Sequence, residues 1–265
     1  MKRVEKIGII SDFSKKQARD FKASILENTS LVDLNKHPTK ALEVNTIIVV
    51  GGDGFFLHTI HQFLRFDVNF YGVNFGSVGF LLNNQPEDCA TLLKCIKSAT
   101  ETKLRLLKCE VEMEEETKTV YAMNEASLFR ETGQLAKIRI YIDGILRLGE
   151  LSSDGIVLST AAGSTAYNFS LHGPIFPPEA NILSLTPISP FRPRHFRGAL
   201  LLNDVKIKLE VLEREKRSVL ATADFHHFSG VKSLTLSLSK KKCINVLFSK
   251  DRQMKEKILQ EQFLI

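Results

Sequence analysis

The stretch VVGGDGFFLHT, residues 49–59, joins an apolar run to three glycines and a single aspartate. Residues 46–50 predict a short buried strand, and residues 55–66 carry apolar side chains at helical spacing. Because glycine lacks a Cβ, a loop of this kind allows a phosphate to approach the main chain closely. A P-loop would also need a lysine after the glycines, and none is present, so the role of Asp53 has to be explained.

Asp53 has more than one interpretation on local chemistry. It follows a strand that we expect to be central and parallel, and open α/β sheets bind their ligands at the carboxyl ends of such strands. A carboxylate beside phosphates can hold Mg²⁺ or accept a proton from an attacking hydroxyl, and both roles belong to phosphoryl transfer. Alternatively, the loop is a structural turn in which Asp53 caps the next helix.

The predicted secondary structure changes in type near residue 100. Before it, strands and helices alternate, which indicates βαβ units and a parallel sheet. These elements are expected at residues 4–11, 14–26, 46–50, 55–66, 69–73 and 88–96. After it, most segments indicate antiparallel strands. Asp143-Gly144 is typical of a tight hairpin, and residues 233–239 alternate with a period of two.

We therefore expect an α/β N-terminal domain with a Rossmann-like parallel sheet, followed by a β-rich C-terminal domain. The expected boundaries are residues 1–99 for the first domain and 100–249 for the second. Residues 250–265 are expected to form a C-terminal helix that packs back on the body. Two local details are also predicted: Ser14 caps the first helix, and residues 240–242, three lysines, form a hairpin tip.

Composition limits the functional classes. The 265 residues are 43% hydrophobic, so the chain can form a core, and no apolar run approaches the length of about 18 residues that crosses a membrane. Four scattered cysteines without a CxxC pair fit a reducing compartment, so we expect a cytoplasmic protein. The net charge of +6 favours an anionic partner, either nucleic acid or a small phosphorylated molecule. Recognition motifs for nucleic acid are absent from the sequence.

Three further segments carry candidate ligand-binding groups. Residues 71–81, YGVNFGSVGFL, form a second glycine-rich loop after a strand. Asn124 and Glu125 place an amide and a carboxylate after an extended stretch, where they could bind an adenine edge and a ribose diol, or could form a polar strand end. Residues 161–166 are small enough for close backbone approach, and Tyr167 offers a stacking face. Neither GxSxG nor GxGxxG occurs, which disfavours hydrolase and dehydrogenase interpretations.

Taken together, GGDG, GxxGFL, NE and STAxGSTAYN, in this order, resemble the NAD kinase family over most of the chain. The resemblance implies a two-domain fold and phosphorylation of the 2′-hydroxyl of the adenosine ribose of NAD. The donor would be ATP, with Mg²⁺ or another divalent cation, or polyphosphate as in some bacterial members. It also implies a homodimer or homotetramer in which the neighbouring subunit helps complete the site. Neither nucleic acid nor a membrane is an implied partner, and no side chain is implied as a metal ligand.

The resemblance also implies residue roles. Asp53 matches the catalytic base of the family. The implied substrate- and nucleotide-binding residues are Gly52, Gly54, His58, Asn124, Glu125, Asp154, Ala162, Thr165, Ala166, Tyr167, Asn168, Ser170 and Ser189. There are departures: Phe55 stands where the family commonly has threonine, and the late DGQ-like motif appears as Asp224-Phe225-His226. Because of this second departure, the resemblance implies no ligand contact for the late motif.

Alternatives remain at this point. GGDG also occurs in lipid and sphingoid kinases of the same superfamily, which would need an apolar acceptor groove. A catalytically silent dinucleotide-binding protein would keep the same loops without turnover. Net charge alone would also suit a nucleic-acid-binding protein, whose affinity for duplex DNA should fall steeply with salt. The basic residues 191–197 form either a solvated loop or subunit contact, or bring an arginine to a phosphate.

Overall fold

The computed structural model describes residues 6–250 and 254–263. The first elements in chain order are β1 (Ile7–Ser11), α1 (Lys16–Glu27), β2 (Val32–Asp33), β3 (Thr46–Gly51), α2 (Asp53–Phe63), β4 (Asn69–Asn74) and α3 (Cys89–Ser98). Strands dominate thereafter: β5 (Thr100–Glu112), β6 (Thr117–Ala122), β7 (Glu125–Arg130), β8 (Ala136–Ile142), β9 (Ile145–Ser153) and β10 (Gly155–Ser159). The remainder are α4 (Tyr167–Ser170), β11 (Ile182–Ile188), β12 (Ala199–Leu202), β13 (Ile207–Leu212), β14 (Val219–Ala223), β15 (His226–Phe228), β16 (Ser233–Phe248) and α5 (Met254–Phe263).

The chain divides into two units. Unit 1 comprises Met1–Leu104 and Ile244–Ile265, and unit 2 comprises Arg105–Cys243. The divisions therefore fall within the long strands β5 and β16. The boundaries expected at residues 99 and 249 concern functional domains and stay predictions. The two compact units are described separately below.

Unit 1 contains the predicted parallel sheet. Its strands lie in the order β2-β1-β3-β4, and the end of β16 continues the sheet beside β4. Every residue of β3 is buried, as expected for a strand covered on both faces. Ile48 and Val50 pack with α1 and α3, whereas on α2 the ring of Phe56 meets Phe70 edge-to-face with centroids 6.4 Å apart. Helices on both faces leave the carboxyl ends of the strands accessible.

Unit 2 is β-rich, as predicted. One sheet has six antiparallel strands in the order β12-β11-β10-β7-β14-β15. In the other, β8 pairs with β9 and with β13, which pairs in turn with the first part of β16. Alternate residues of both sheets share one apolar core. Its members include Ala126, Leu128, Ile138, Ile140, Ile156, Leu158, Leu209 and Leu234.

Local predictions were confirmed in one case and wrong in two. Asp143 and Gly144 have φ of 52° and 78°, the left-handed pair that a tight hairpin requires. Residues 240–242 lie inside β16 rather than at a hairpin tip, because their exposed lysine side chains do not interrupt the strand and no turn-forming residue accompanies them. Ser14 does not cap α1: its N–H and hydroxyl both donate to Asp12 Oδ1, and Lys15 occupies the N-cap.

Parts of two predicted elements fall outside the described residues. These are residues 4 and 5 of the first strand and residues 251–253, 264 and 265 of the C-terminal helix. All four cysteines are described and are free thiols; burial raises the pKa of the Cys109 thiol, and the charge of Asp224 raises it further. Of the helices that the structure describes, none combines the length and apolarity that a membrane span needs.

Candidate active site

Two glycine-rich loops meet at the carboxyl edge of the sheet in unit 1. The first connects β3 to α2, whose N-cap is Gly52. The second follows β4, and Phe75 N donates to Gly51 O at 2.7 Å. A Cβ on Gly76 would lie 2.9 Å from the Cα of Gly52, so the two main chains approach more closely than any side chain would permit. The predicted phosphate-binding loop is therefore a pair of loops.

The Asp53 carboxylate joins these loops. Its Oδ2 accepts the N–H of Gly79 at 2.9 Å, and its Oδ1 accepts the N–H of Leu81 at 3.3 Å. Because Gly52 is the N-cap and the carboxylate accepts from the second loop, the alternative in which Asp53 caps its own helix is wrong. An ionised carboxylate has about four acceptor positions, so two donors leave room for a proton from a hydroxyl.

Lys15 is a cation at this edge that the sequence reasoning missed. It lies between β1 and α1, and its Nζ donates to Phe75 O at 3.0 Å. The same Nζ is 3.3 Å from the position that a Cβ on Gly52 would occupy. The ammonium group thus lies beside the glycine loops. Its position in the connection that follows a neighbouring parallel strand is the pattern that could have revealed it.

Two other predicted site residues of unit 1, Gly54 and His58, lie on α2 outside the contact between the two loops. Gly54 begins the exposed side of α2, with open space around the position of a Cβ among the described residues. His58 lies on the exposed face of α2, five residues after Asp53. The structure thus places Gly52 and Asp53 at the loop contact itself and His58 farther along the helix.

In unit 2, residues 123–125 form a turn where β6 leads into β7, with Asn124 in the connection and Glu125 as the first residue of β7. Thr160 supports it from one side, since its N–H donates to Asn124 O at 2.8 Å and its hydroxyl donates to Met123 O at 2.6 Å. The carboxylate of Asp224 supports it from the other by accepting main-chain N–H groups. The DGQ-like motif therefore acts on this turn through its aspartate.

The side chains of this turn have unused polar atoms. Asn124 Oδ1 and Glu125 Oε2 are buried and have no hydrogen-bond partner within the part of the chain that the structure describes. Leaving such atoms unpaired costs about 1–3 kcal/mol each, which favours a ligand that supplies the partner. Burial, and then the charge of Asp224, raises the pKa of Glu125 to about 8. This carboxyl therefore lowers stability as the pH rises from its unfolded pKa through about 8.

Asp154 and Tyr167 belong to the same neighbourhood. Asp154 accepts from Arg130 Nε at 2.6 Å, and Tyr167 begins α4 with its side chain partly exposed. Burial raises the pKa of Tyr167, and the charges of Asp154 and Glu125 raise it further. Tyr167 on α4 thus lies within electrostatic reach of Glu125 at the start of β7 and of Asp154 between β9 and β10.

The remaining expected residues differ in exposure. Asn168 is buried and its amide is engaged, because Oδ1 accepts from Thr186 at 2.7 Å and Nδ2 donates to Ser164 O and Pro174 O. Its side chain therefore supports α4. Ala162 is buried, Thr165 and Ala166 are half-buried, and Ser170 and Ser189 are exposed. Ser189 follows β11 with φ of 45°.

Over residues 6–250 and 254–263, groups of three or more His, Cys, Asp and Glu side chains that could hold a metal ion are not found. The chemistry of unit 1 is instead that of paired glycine loops with a carboxylate and an ammonium group. Together with the unpartnered buried groups of unit 2, these features define a nucleotide-binding protein of the phosphoryl-transfer class.

The family follows from comparison with known sequences. The family model for the ATP-NAD kinase N-terminal domain matches residues 11–101, and that for the ATP-NAD kinase C-terminal domain matches residues 123–249. The NAD kinase of Rickettsia africae (strain ESF-5) is 47% identical over 225 residues, covering 84% of this chain and 88% of the relative. That of Rickettsia bellii (strain OSU 85-389) is 45% identical over 222 residues, 83% and 86% of the two chains. This chain belongs to the ATP-NAD kinase family.

Solved structures with the same fold agree. The yeast NADH kinase complexed with NADH superposes with a TM-score of 0.82 at 19% identity, covering 98% of this chain and 88% of the other. The NAD kinase from Archaeoglobus fulgidus in complex with ATP gives a TM-score of 0.78 at 20% identity, with coverage of 96% and 97%. At these identities, the likeness establishes the two-domain fold.

Proposed function

We propose that this NAD kinase transfers the γ-phosphoryl group of ATP to the 2′-hydroxyl of the adenosine ribose of NAD, giving NADP and ADP. The observation that carries the proposal is the Asp53 carboxylate, which the main chain of the second glycine loop fixes at the sheet edge with acceptor capacity to spare. The hydroxyl oxygen attacks the γ-phosphorus, its proton passes to Asp53, and the bond from the γ-phosphorus to the ADP oxygen breaks.

The donor phosphates are assigned to the glycine loops of unit 1. Gly52 and Gly54 lack side chains that would obstruct a phosphate, and Lys15 supplies a positive charge beside Gly52. Mg²⁺ or another divalent cation is proposed to enter with ATP, since Mg²⁺ is commonly held by substrate phosphates and one or two carboxylates. Polyphosphate presents the same anhydride chemistry and is a second donor to test.

The dinucleotide is assigned to unit 2. Asn124 and Glu125 offer the unpartnered buried atoms, and Tyr167 offers a partly exposed ring for stacking. The other residues of unit 2 proposed to contact substrate are Asp154, Ala162, Thr165, Ala166, Asn168, Ser170 and Ser189, and His58 of unit 1 is proposed to lie near phosphate. For Asn168 the contact would involve its main chain, because its amide is engaged internally.

We further propose that the enzyme is a cytoplasmic homodimer or homotetramer. The strand β12 lies at the edge of the six-stranded sheet and exposes Leu200 and Leu202, whose exposed fractions are 57% and 68%. Two leucines on an unpaired strand edge are typical of an interface. The nearby loop exposes Phe191, with Arg192 and Arg194 over its ring. Light scattering on the purified protein gives the subunit number.

The activity test uses purified protein with NAD, Mg²⁺ and ATP, and follows NADP formation with an NADP-specific dehydrogenase. We expect NADP to accumulate with turnover, and parallel reactions with polyphosphate and with NADH define the donor and the acceptor. Tight NAD binding without any NADP formation would contradict the proposal and favour a catalytically silent dinucleotide-binding protein. The lipid-kinase alternative is tested in the same way with a sphingoid acceptor.

Replacing Lys15 with methionine tests the donor assignment. A charge-assisted hydrogen bond to phosphate contributes about 1.5–3 kcal/mol, so the KM for ATP is expected to rise roughly 10- to 100-fold. The Kd for NAD should stay unchanged. Lys16→Met is the matched control, since Lys16 is the exposed neighbour at the start of α1. An unchanged KM for ATP in Lys15→Met would show that Lys15 only braces the second glycine loop.

A further inference from the structure

Asp224 stands at the end of β14 in an unusual main-chain conformation. Its φ of 49° is left-handed, a conformation that aspartate tolerates better than most residues. The conformation turns its carboxylate onto the neighbouring strand end. Oδ2 accepts the N–H of Met123 at 2.7 Å, and Oδ1 accepts the N–H groups of Asn124 and Glu125 at 2.9 and 3.2 Å. One carboxylate thus binds three consecutive main-chain donors.

These contacts fix the turn that precedes β7. The paired strands β7 and β14 end with Ala126 opposite Ala223, and Asp224 N donates to Glu125 O at 3.0 Å. Thr160 donates to the carbonyl groups of Met123 and Asn124 in the same turn. Both the N–H groups and the carbonyl groups of the turn are therefore hydrogen-bonded. With the main chain fixed, Asn124 Oδ1 and Glu125 Oε2 are left without partners in the described part of the protein.

We propose that Asp224 is a positioning residue that presents Asn124 and Glu125 to the dinucleotide by binding their main-chain N–H groups. The proposal rests on the proposed function, in which this turn binds NAD. The late motif Asp224-Phe225-His226, which departs from DGQ, thereby gains a role: its aspartate holds the turn. The proposal requires no contact between Asp224 and the substrate.

The same arrangement has an electrostatic consequence. Asp224 is the charged group that, after burial itself, raises the pKa of Glu125 to about 8. The pKa of Tyr167 on α4 is raised in turn by the charge of Asp154, in the β9–β10 connection, and by that of Glu125. Removing the negative charge of Asp224 should therefore lower the pKa of Glu125. Since exposure of Glu125 to solvent would lower that pKa as well, the shift is compared only between variants that keep the wild-type melting temperature.

The experiment measures NAD affinity by calorimetry between pH 6 and 9 without ATP, so that catalysis plays no part. In the wild-type protein, log Kd against pH should bend near the Glu125 pKa of about 8, and Glu125→Gln should remove the bend. Asp224→Asn should weaken NAD binding roughly tenfold, because one N–H then faces an amide N–H, and should move the bend to lower pH. Asp204→Asn, in the exposed turn before β13, is the matched control.

The outcomes separate this proposal from the proposed function. Failure of the wild-type protein to bind NAD at any pH would count against the function. Wild-type affinity in Asp224→Asn, or a bend that stays at its wild-type pH, would overturn the positioning role alone. If Asp224→Asn does not fold, judged by its melting transition, Asp224→Ser keeps one acceptor oxygen, and the same two results are required of it.

Discussion

Replacing Asp53 with asparagine is expected to reduce kcat for NADP formation by about 10²- to 10⁴-fold, the usual contribution of a general base. Asparagine has the same shape and keeps one acceptor oxygen, but it cannot take the proton of the 2′-hydroxyl. Because unit 2 carries the groups assigned to NAD, the Kd for NAD should stay near its wild-type value. Initial rates at saturating NAD and ATP measure the first expectation, and calorimetry measures the second.

The same substitution disturbs the contact between the glycine loops, so a structural effect has to be separated from a chemical one. The amide would place its NH₂ against the N–H of Gly79 or Leu81, leaving a donor unpaired at a cost of about 1–3 kcal/mol. Melting temperatures of Asp53→Asn and of Asp67→Asn, an exposed control in the same unit, monitor this cost. A folded Asp53→Asn enzyme that retains a tenth or more of the wild-type kcat would exclude Asp53 as the base.

The sequence and the structure agree best where an element depends on neighbouring residues. The buried run of β3, the glycines after it and the apolar spacing of α2 are local patterns. The strand and the helix both form, although α2 runs from Asp53 to Phe63 rather than over residues 55–66. The Asp143-Gly144 hairpin is similarly local. The lysine run at residues 240–242 misled the prediction because charge was taken as a turn indicator, although a strand with exposed side chains accommodates lysine.

The site was only partly predictable for a physical reason. Asn124 and Glu125 were predicted as binding residues from their own residue types, but the groups that hold their main chain come from far along the sequence. Asp224 reaches the turn from about 100 residues away and Thr160 from more than 30. Lys15 likewise joins the glycine loops only because β1 and β3 are neighbours in a parallel sheet. Such contacts follow from strand order, which the local sequence pattern does not specify.

The glycine loop that carries Asp53 differs from a P-loop in where its charged groups come from. In a P-loop the lysine belongs to the glycine loop itself, whereas here the ammonium group comes from the preceding strand connection. The loop position is left to a carboxylate. Under the proposed function, Lys15 from one connection would neutralise the donor phosphates and Asp53 from another would deprotonate the acceptor at the same sheet edge.

Replacing Gly163 with alanine is expected to displace the turn at residues 123–125, to which NAD binding is assigned under the proposed function. A Cβ there would lie 2.3 Å from Asn124 O and 2.5 Å from its carbonyl carbon. Both are main-chain atoms that Thr160 and Asp224 already hold in place, so the clash cannot be relieved by rotating a side chain. Overpacking of this kind costs about 1–3 kcal/mol, and the movement of the turn should also raise the KM for NAD at least about tenfold.

Gly133→Ala is the matched control for this prediction. Gly133 also lies in unit 2, and a Cβ at that position meets open space among the described residues. Its melting temperature and KM for NAD should stay at wild-type values, or the melting temperature should rise slightly because alanine restricts the unfolded chain. Equal behaviour of the two variants would mean that the segment at residues 160–163 does not support Asn124. A loss confined to Gly163→Ala, with the KM for ATP unchanged, would locate NAD recognition in the turn that this glycine supports.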